Sequence, residues 1–449
     1  MFANDTVCAP ATGQGGAISI IRISGPECFR IVDSVVSFRR GDAVSASGFS
    51  VKFGVIPELD EVLVSVFRAP HSYTGEDMAE ISCHASAYIV SGILDRLCAA
   101  GCRMAEAGEF TRRAFVAGKM DLAQAEAVAD LIASSSQAAH KLAFTQLRGA
   151  YSQKLKDLRA QIVEIAALLE LELDFSEEEV EFADRSRLQE LVRDALAEAE
   201  RLAASFKLGN AFKQGIPVAI VGPVNSGKST LLNALLGEER AIVSDIPGTT
   251  RDTVEELLVI NGVSYRFIDT AGLRETSERV EQMGIERSLQ QMDKASVIIV
   301  LLDATAPESE ILAVIDAVNK RMRPDARVIW VRSKADLPGN ALLPVPDILE
   351  VSSLTGEGLE ELKDAVSKPD AALLAGSDAV LVTNQRHYEA LRRACEDLRH
   401  VLSGLGSAAP IDLVAEDLRS GLSALGEIFG EILPDDILGT VFSRFCIGK

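Results

Sequence analysis

P-V-A-I-V-G-P-V-N-S-G-K-S-T, residues 217 to 230, decides how this chain is read. Val218 to Val221 form a short apolar run that ends at Gly222. A loop closes on Gly227, Lys228 and Ser229, and Leu231, Leu232, Ala234, Leu235 and Leu236 follow with helical spacing. Strand, G-x-x-x-x-G-K-S loop and helix in this order form the setting of a phosphate-binding loop. The glycines let backbone N–H groups turn inward around phosphate oxygens, and the helix N-terminus adds its positive end. Lys228 would reach the outer phosphates and the Ser229 hydroxyl would ligate Mg²⁺, with Asn225, Ser226, Gly227 and Thr230 completing the cradle. A glycine-bearing turn between core elements is the competing reading, and the flanking strand and helix disfavour it.

At 449 residues the chain has room for about three domains. A hydrophobic content of 47% and a mean hydropathy of +0.16 suffice for sizeable cores. No apolar run reaches the ~18 residues of a membrane helix, and the N-terminus lacks the basic and apolar regions of a signal peptide. The seven cysteines include no C-x-x-C pair; Cys98 and Cys102, four apart in a helical pattern, read as core thiols. A cytoplasmic location is expected. The net charge of -21 argues against a free-standing nucleic-acid binder, because phosphate contact needs Lys and Arg stripes. If nucleic acid is a substrate, a partner supplies much of the positive surface. The acidic run from Glu170 to Asp184 reads as solvated surface rather than a metal cluster.

Residues 1–117 mix β-like runs (Ala17 to Ile23, Val62 to Phe67, Ala79 to Ser82) with a helical stretch, Tyr88 to Ala100, and predict an α+β domain. Near 118 the texture turns to alanine-rich helix, opened by a capping box of Asp121 and Gln124. A second helix carries Leu155, Leu158, Ile162, Ile165 and Leu169 on one side, D-F-S-E-E-E interrupts it, and an amphipathic stretch spans about 185 to 206. Helices resume from about Asn384. The expected organisation is therefore an all-α helical domain (118–210 and 373–449) with an α/β P-loop, Ras-like domain (211–372) inserted into it. Within the insert, Val218–Val221, Tyr265–Ile268, Val297–Leu302, Val328–Val331 and Leu349–Val351 alternate with helices, the grammar of a mostly parallel sheet. Ligands of such sheets sit at the carboxyl ends of strands.

The informative residues fall there. In G-T-T-R-D, starting at Gly248, Thr250 can complete the Mg²⁺ shell and sense a γ-phosphate. In D-T-A-G (Asp269, Thr270, Ala271, Gly272), Asp269 would hold Mg²⁺ through water and the Gly272 N–H would bond the γ-phosphate. After the strand ending at Val331 comes Ser333, Lys334, Ala335 and Asp336. A carboxylate there accepts both guanine N1–H and the 2-amino group, a pairing adenine lacks. Ser352, Ser353 and Leu354 would complete the base pocket. Four motifs in order predict a GTP-binding domain. Leu273 stands where Ras-like GTPases carry a water-orienting glutamine, so another carboxylate must act, and the segment 274–281 offers candidates.

The chain as a whole resembles the MnmE (TrmE) family of tRNA-modification GTPases. The resemblance is carried by Y-T-G-E-D-M-A-E at 73–80, G-E-F-T-R-R-A-F-V-A-G-K-M-D-L-A-Q-A-E-A at 108–127, G-T-T-R-D, D-T-A-G-L-R and the terminal C-I-G-K, and it spans essentially all 449 residues. It implies an N-terminal folate-binding and dimerisation domain, a helical domain and an inserted GTPase domain. It implies modification of C5 of the wobble uridine (U34) of certain tRNAs, together with an MnmG-type FAD-dependent partner. The one-carbon unit would come from a tetrahydrofolate derivative (5,10-methylene or 5-formyl), the product carrying a carboxymethylaminomethyl or aminomethyl group. Matching folate positions are Arg22, Glu80, Lys119 and Lys449. Cys446 matches the family's C-terminal cysteine, either a functional thiol or a small buried residue. The resemblance further implies K⁺ bound by Asn225 and by the backbone of Ser244, Ile246 and Thr249. Asp245, Pro247, Gly248 and Thr250 complete that segment of the GTP site. Glu281 matches the water-orienting carboxylate that acts when two GTPase domains meet in a homodimer.

Other assignments fit less well. An assembly GTPase that only binds RNA leaves C-I-G-K and Y-T-G-E-D unexplained, an ATPase leaves Asp336 unexplained, and a helical scaffold leaves the nucleotide motifs unexplained. One departure matters: the base motif normally reads N-K-x-D, and Ser333 replaces the asparagine. Serine offers one hydroxyl in place of an amide's donor and acceptor. Guanine preference should survive through Asp336 while affinity falls. Ser333→Asn should therefore tighten GDP binding in a titration against the native chain, and no gain would refute the argument.

Overall fold

The computed structural model describes residues 5–13, 15–174, 185–223, 225–237, 255–268, 291–303, 305–338, 345–376, 380–407, 409–431, 435–443, 445 and 448. The chain divides into two compact units. One comprises residues 1–129, 146–196 and 393–449; the other comprises 130–145 and 197–392.

In the first unit, seven strands form one sheet: β1 (Val7–Pro10), β2 (Ile18–Ser24), β3 (Ser37–Phe38), β4 (Ser50–Ile56), β5 (Asp60–Phe67), β6 (Met78–His84) and β7 (Arg103–Met104), in the order β3-β4-β5-β6-β2-β1-β7. Pairing is antiparallel except between β1 and β7. Helices Cys28–Val35 and Ala87–Ala99 cover one face, where Ile21, Ile23, Val62, Val64, Val66 and Ile81 meet Phe29, Ile31, Ile93 and Leu97. Cys102 is buried beside this core and Cys98 packs against it. The opposite face keeps apolar side chains in the open: Val51 is 63% and Leu63 49% exposed. The 60–67 and 18–24 strands follow the expected runs; β4 was not read, because V-K-F-G-V-I puts apolar residues on both faces.

The unit is braced by a buried charge cluster. Arg113, 4% exposed, donates to Asp5 Oδ1 at 2.7 Å, to Glu109 Oε1 at 2.9 Å and to both oxygens of Glu76 at 3.2 Å. Arg103 donates to the other oxygen of Asp5 at 2.9 Å and to both oxygens of Glu109, sharing Oε1 (2.7 Å) with Arg113 and reaching Oε2 at 3.1 Å. Burial opposes the Glu109 charge, but hydrogen bonds from Arg103, Glu106 N–H and Arg113 outweigh it and hold its carboxyl below the usual range. The helical part opens with the expected capping box, Gln124 N–H on Asp121 Oδ1 (2.9 Å) and Asp121 N–H on Gln124 Oε1 (3.0 Å). Its 25-residue helix Ala150–Asp174 packs along Ile411–Phe429.

The second unit holds a six-stranded sheet: β8 (Ile216–Val221), β9 (Glu256–Ile260), β10 (Val263–Phe267), β11 (Val297–Asp303), β12 (Arg327–Ser333) and β13 (Leu349–Val351), in the order β13-β12-β11-β8-β10-β9. All pairs are parallel except β9 with β10. Alternate residues of β11 serve two cores. Val297, Ile299 and Leu301 face helices Lys228–Gly237 and Leu359–Gly376, while Ile298, Val300 and Leu302 face helix Glu308–Arg321. Ala138, Leu142 and Phe212 join the first core, and Leu374 and Leu381 pack against it, so this compact unit reaches beyond 211–372 at both ends.

The β9–β10 turn is fixed from two sides. Ala138 N–H donates to the Gly262 carbonyl at 2.9 Å, and Asn261 Nδ2 donates to Ser367 Oγ at 2.8 Å and Asp364 Oδ1 at 3.1 Å. Beneath it the fully buried Tyr265 donates its hydroxyl to Asp370 Oδ2 at 2.7 Å. Burial and the neighbouring Asp370 carboxylate push the Tyr265 phenol up, keeping it a donor. Tyr265→Phe should lower stability by about 1–2 kcal/mol, read as a shift of the urea transition; an unmoved midpoint would show that this hydrogen bond contributes nothing.

Candidate functional site

Five parallel strands deliver their carboxyl ends to one edge of the second sheet. At β8 the chain turns so tightly over β11 that a Cβ on Gly222 would lie 2.8 Å from the Leu301 carbonyl oxygen. Asn225 and Gly227 then take φ of 62° and 94°, left-handed positions of the kind from which anion nests are built. Helix Lys228–Gly237 starts there, with Leu231 N–H on the Gly227 carbonyl at 2.8 Å. Ser229 and Thr230 lie in its first turn. Lys228 curls back, its Nζ donating to the carbonyls of Gly222 (2.9 Å) and Pro223 (2.6 Å), and burial lowers its pKa. A polyphosphate would give this desolvated ammonium charged acceptors in place of two neutral ones. The buried Ser226 hydroxyl has no partner among the described residues, and no atom lies within 4 Å of where a Cβ on Gly227 would stand. An orphaned hydroxyl, a helix N-terminus and open space beside Gly227 fit a phosphate group.

At the ends of β11, β12 and β13 a second cluster forms. Asp336 is exposed, and its Oδ1 accepts the Ser352 hydroxyl at 2.6 Å, which fixes the carboxylate through one oxygen. Ser352 is fully buried and Leu354 is 84% exposed, with Ser353 between them half-buried. Lys334, at φ 57°, forms an ion pair with Asp303 Oδ2 at 2.6 Å. Ala335 N–H reaches the Val351 carbonyl at 3.2 Å, and Ser333 Oγ makes only a long contact, 3.4 Å, to the Leu302 carbonyl. Ser244, Asp245, Ile246, Pro247, Gly248, Thr249, Thr250, Asp269, Thr270, Ala271, Gly272, Glu281, Cys446 and Lys449 lie outside the described residues.

The first unit carries a cavity of about 480 Å³ on the open side of its sheet, lined by Arg22, Phe49, Phe67, His71, Ser72, Tyr73, Met78, Glu80 and Lys119. Arg22 and Glu80 are directly opposed across β2 and β6, and Nε and Nη2 of the guanidinium bind Glu80 Oε1 at 3.0 and 2.9 Å. The guanidinium also lies 5.3 Å from the Tyr73 ring centre and 5.5 Å from that of Phe110. Nη1 donates to the Gly448 carbonyl at 3.1 Å. The structure thus engages Arg22 with Glu80 and the chain's own tail, so Arg22 orients Glu80 more than it offers a free cation. Lys119, half occupied by the Pro70 carbonyl at 2.9 Å, is the more available positive charge. Within the 73–80 segment only Tyr73 and Glu80 bear directly on the cavity among the charged and aromatic residues; Glu76 belongs to the Arg113 cluster, and Asp77 accepts Ala69 N–H at 2.9 Å. Phe49, Phe67, His71 and Met78 escaped the sequence reading. Phe49 alone left a trace, a large apolar residue beside Gly48 at a left-handed φ of 58°, 74% exposed.

A parallel sheet covered on both faces, a phosphate loop after β8 and a fixed carboxylate after β12 define a P-loop nucleotide-binding protein joined to an α+β domain with its own cavity. Residues 122–446 match the model of the MnmE helical domain, and residues 6–119 match that of the GTP-binding protein TrmE N-terminus. The tRNA modification GTPase MnmE of Bacteroides thetaiotaomicron is 45% identical over 463 residues, with 99% of each chain covered. That of Flavobacterium johnsoniae is 46% identical over 467 residues, covering 100% of both. Among solved structures, a variant of Aquifex aeolicus Era bound to GDP and AlF₄⁻ is 29% identical, covering 40% of this chain and 66% of that one with a TM-score of 0.25. The chain belongs to the MnmE family of tRNA modification GTPases. No helix among the described residues is long and apolar enough to cross a membrane.

Gly448 accepts from Arg22, one of the cavity-lining residues, and its own position is tightly set. A Cβ there would lie 1.9 Å from the Pro10 carbonyl oxygen, and φ is 98°, so no side chain fits while the Arg22 contact holds. Gly448→Ala should weaken binding of a reduced folate, the ligand the family resemblance implies, by about tenfold or more in a fluorescence titration. An unchanged affinity would show that the tail does not shape the cavity.

Proposed function

We propose that this chain uses GTP hydrolysis to drive a folate-dependent modification of C5 of the wobble uridine of tRNA, with an MnmG-type FAD-dependent partner. The observation that supports it best is the convergence of Arg22, Glu80 and Lys119, far apart in sequence, on one aromatic-walled cavity in a chain whose other unit holds a phosphate loop. Domain limits of 1–117, 118–210, 211–372 and 373–449 suit this division of labour. The cavity fits a reduced folate by its donor set. Glu80, steered through Oε1 by Arg22, keeps Oε2 as an acceptor for the N–H edge of a pterin, Phe67 and Tyr73 flank a flat ring, and Lys119 suits the carboxylates of a glutamate tail. Lys449 and Cys446 would act at the same cavity.

At the nucleotide site, the backbone amides from Asn225 to Ser229 and the Lys228 ammonium would hold the phosphates, and Asp336, set by Ser352, would accept the guanine N1–H and 2-amino group. Ser229 and Thr250 would hold Mg²⁺, and Asn225 with the carbonyls of Ser244, Ile246 and Thr249 would hold K⁺; these ions supply positive charge beside the β- and γ-phosphates. Water attacks the γ-phosphorus, the bond to the β–γ bridging oxygen breaks, and GDP, phosphate and a proton leave. Glu281 would orient that water when two GTPase domains meet. A homodimer is supported by Val51, Phe53, Val55 and Leu63, exposed apolar residues that share one face of the adjacent strands β4 and β5. The cytoplasm is the proposed location.

The purified chain should bind GDP and 5-formyltetrahydrofolate without mutual displacement, and should hydrolyse GTP faster in K⁺ than in Na⁺. Glu281→Ala should keep GDP affinity while hydrolysis falls by about 10³-fold. Failure to bind either ligand would end this reading, and unchanged turnover of the variant in K⁺ would remove Glu281 from it.

A further inference from the structure

The loop that meets a nucleotide base has lost its asparagine, and yet two of its side chains are fixed. Ser352 fixes Asp336 and Asp303 fixes Lys334, both at 2.6 Å. The long 3.4 Å contact from Ser333 to the neighbouring strand holds no part of residues 334–336. The parallel register sets Asp303, the last residue of β11, beside Ser333, the last of β12, so its carboxylate stands at the start of the base loop. Its own position is fixed: Oδ1 accepts Thr305 N–H at 2.9 Å and the Thr305 hydroxyl at 2.7 Å, which leaves Oδ2 for Lys334. The Asp303 side chain is only 13% exposed, that of Lys334 34%, so solvent screens the pair less than a surface bridge.

Lys334 needs such a hold. Its φ of 57° places a non-glycine residue in the left-handed region, a conformation that costs about 1 kcal/mol or more and persists where the surroundings over-determine it. With the ammonium anchored on Asp303, the four-carbon stem is held along a fixed line over the loop, where it can cover one face of a purine whose edge Asp336 reads. Without the anchor, a flexible lysine must be ordered at the moment of binding, at a cost in side-chain entropy.

We propose that Asp303 is a positioning residue for guanine-nucleotide recognition, pre-setting Lys334 in a loop where Ser333 no longer braces the base. The role deepens the guanine reading proposed above and depends on it. Asp303 touches no nucleotide atom in this account; it acts through Lys334, and its contribution is to affinity rather than to the hydrolytic step.

Asp303→Asn is the discriminating variant, because the amide oxygen can still accept from Thr305 while the ion pair is lost. In the full-length chain, fluorescent-GDP titration should show Kd raised about tenfold, and GTP turnover should show the loss in KM with little change in kcat. In a Lys334→Met background, where the pair is already gone, adding Asp303→Asn should produce no further loss. GDP binding by Asp303→Asn equal to that of the native chain would overturn the proposal. So would a loss that persists in full on top of Lys334→Met, the mark of a merely structural role. Native protein that binds no guanine nucleotide would instead sink the guanine reading itself, which keeps the two failures apart.

Discussion

The nucleotide unit depends on one close approach, the packing of the backbone at Gly222 against the Leu301 carbonyl. β8 lies between β11 and β10 and pairs in parallel with both. Its exit must therefore clear a neighbouring strand before the loop can curl over the sheet edge. A side chain at this point would push the loop outward and carry with it Asn225, Gly227 and the N-terminus of the following helix. The backbone groups that face a phosphate are thus placed by strand packing, and Lys228 adds charge to a cradle already formed. The cluster at the ends of β11, β12 and β13 obeys the same rule at longer range, because these strands end at one level and bring Asp303 beside Lys334 and Ser352 beside Asp336.

The first unit is built on a different constraint. Five charged residues, Asp5, Glu76, Arg103, Glu109 and Arg113, meet, with Glu109 and Arg113 buried and the other three partly exposed around them. Removing either buried member would leave the other short of a partner in a dry setting, so the pair is held as a unit. Its effect is geometric. Glu76 is tied to Arg113 on helix Glu109–Val116, and Ser24 ties the same carboxylate to β2 at 2.7 Å. The loop between β5 and β6 that carries His71 and Tyr73 is thereby anchored to the strand that carries Arg22, and the cavity walls are set before any ligand arrives.

How much of this was legible follows from how local each signal is. V-I-I-V-L-L reads directly as a strand because both of its faces are buried, and the Asp121–Gln124 capping box works within three residues. The phosphate loop was equally plain, since strand, loop and helix are contiguous. Partnerships that depend on register were not. Nothing along the chain announces that Arg22 faces Glu80 across 58 positions, or that Asp303 stands beside Ser333. Much of the charge in the family motifs, Glu76, Asp77, Glu109 and Arg113, holds structure together, while Phe49 and Phe67, which line the cavity, lie outside every motif.

Charge bears on how a tRNA modification GTPase of this composition can meet its RNA. Affinity for nucleic acid grows with the number of phosphates neutralised, and a chain of net charge -21 repels a polyanion at distances beyond the Debye length only weakly, but at contact strongly. Several of its described arginines are committed: Arg22, Arg103 and Arg113 to buried or half-buried carboxylates, Arg327 to Asp370, and Arg393 to Glu427. Releasing any of these to a phosphate would strand its carboxylate, which sets a threshold against direct RNA contact at those positions. Were a basic partner to carry the tRNA and present one unstacked base, the conflict would be resolved, because the nucleotide would then approach alone and not as part of a charged helix.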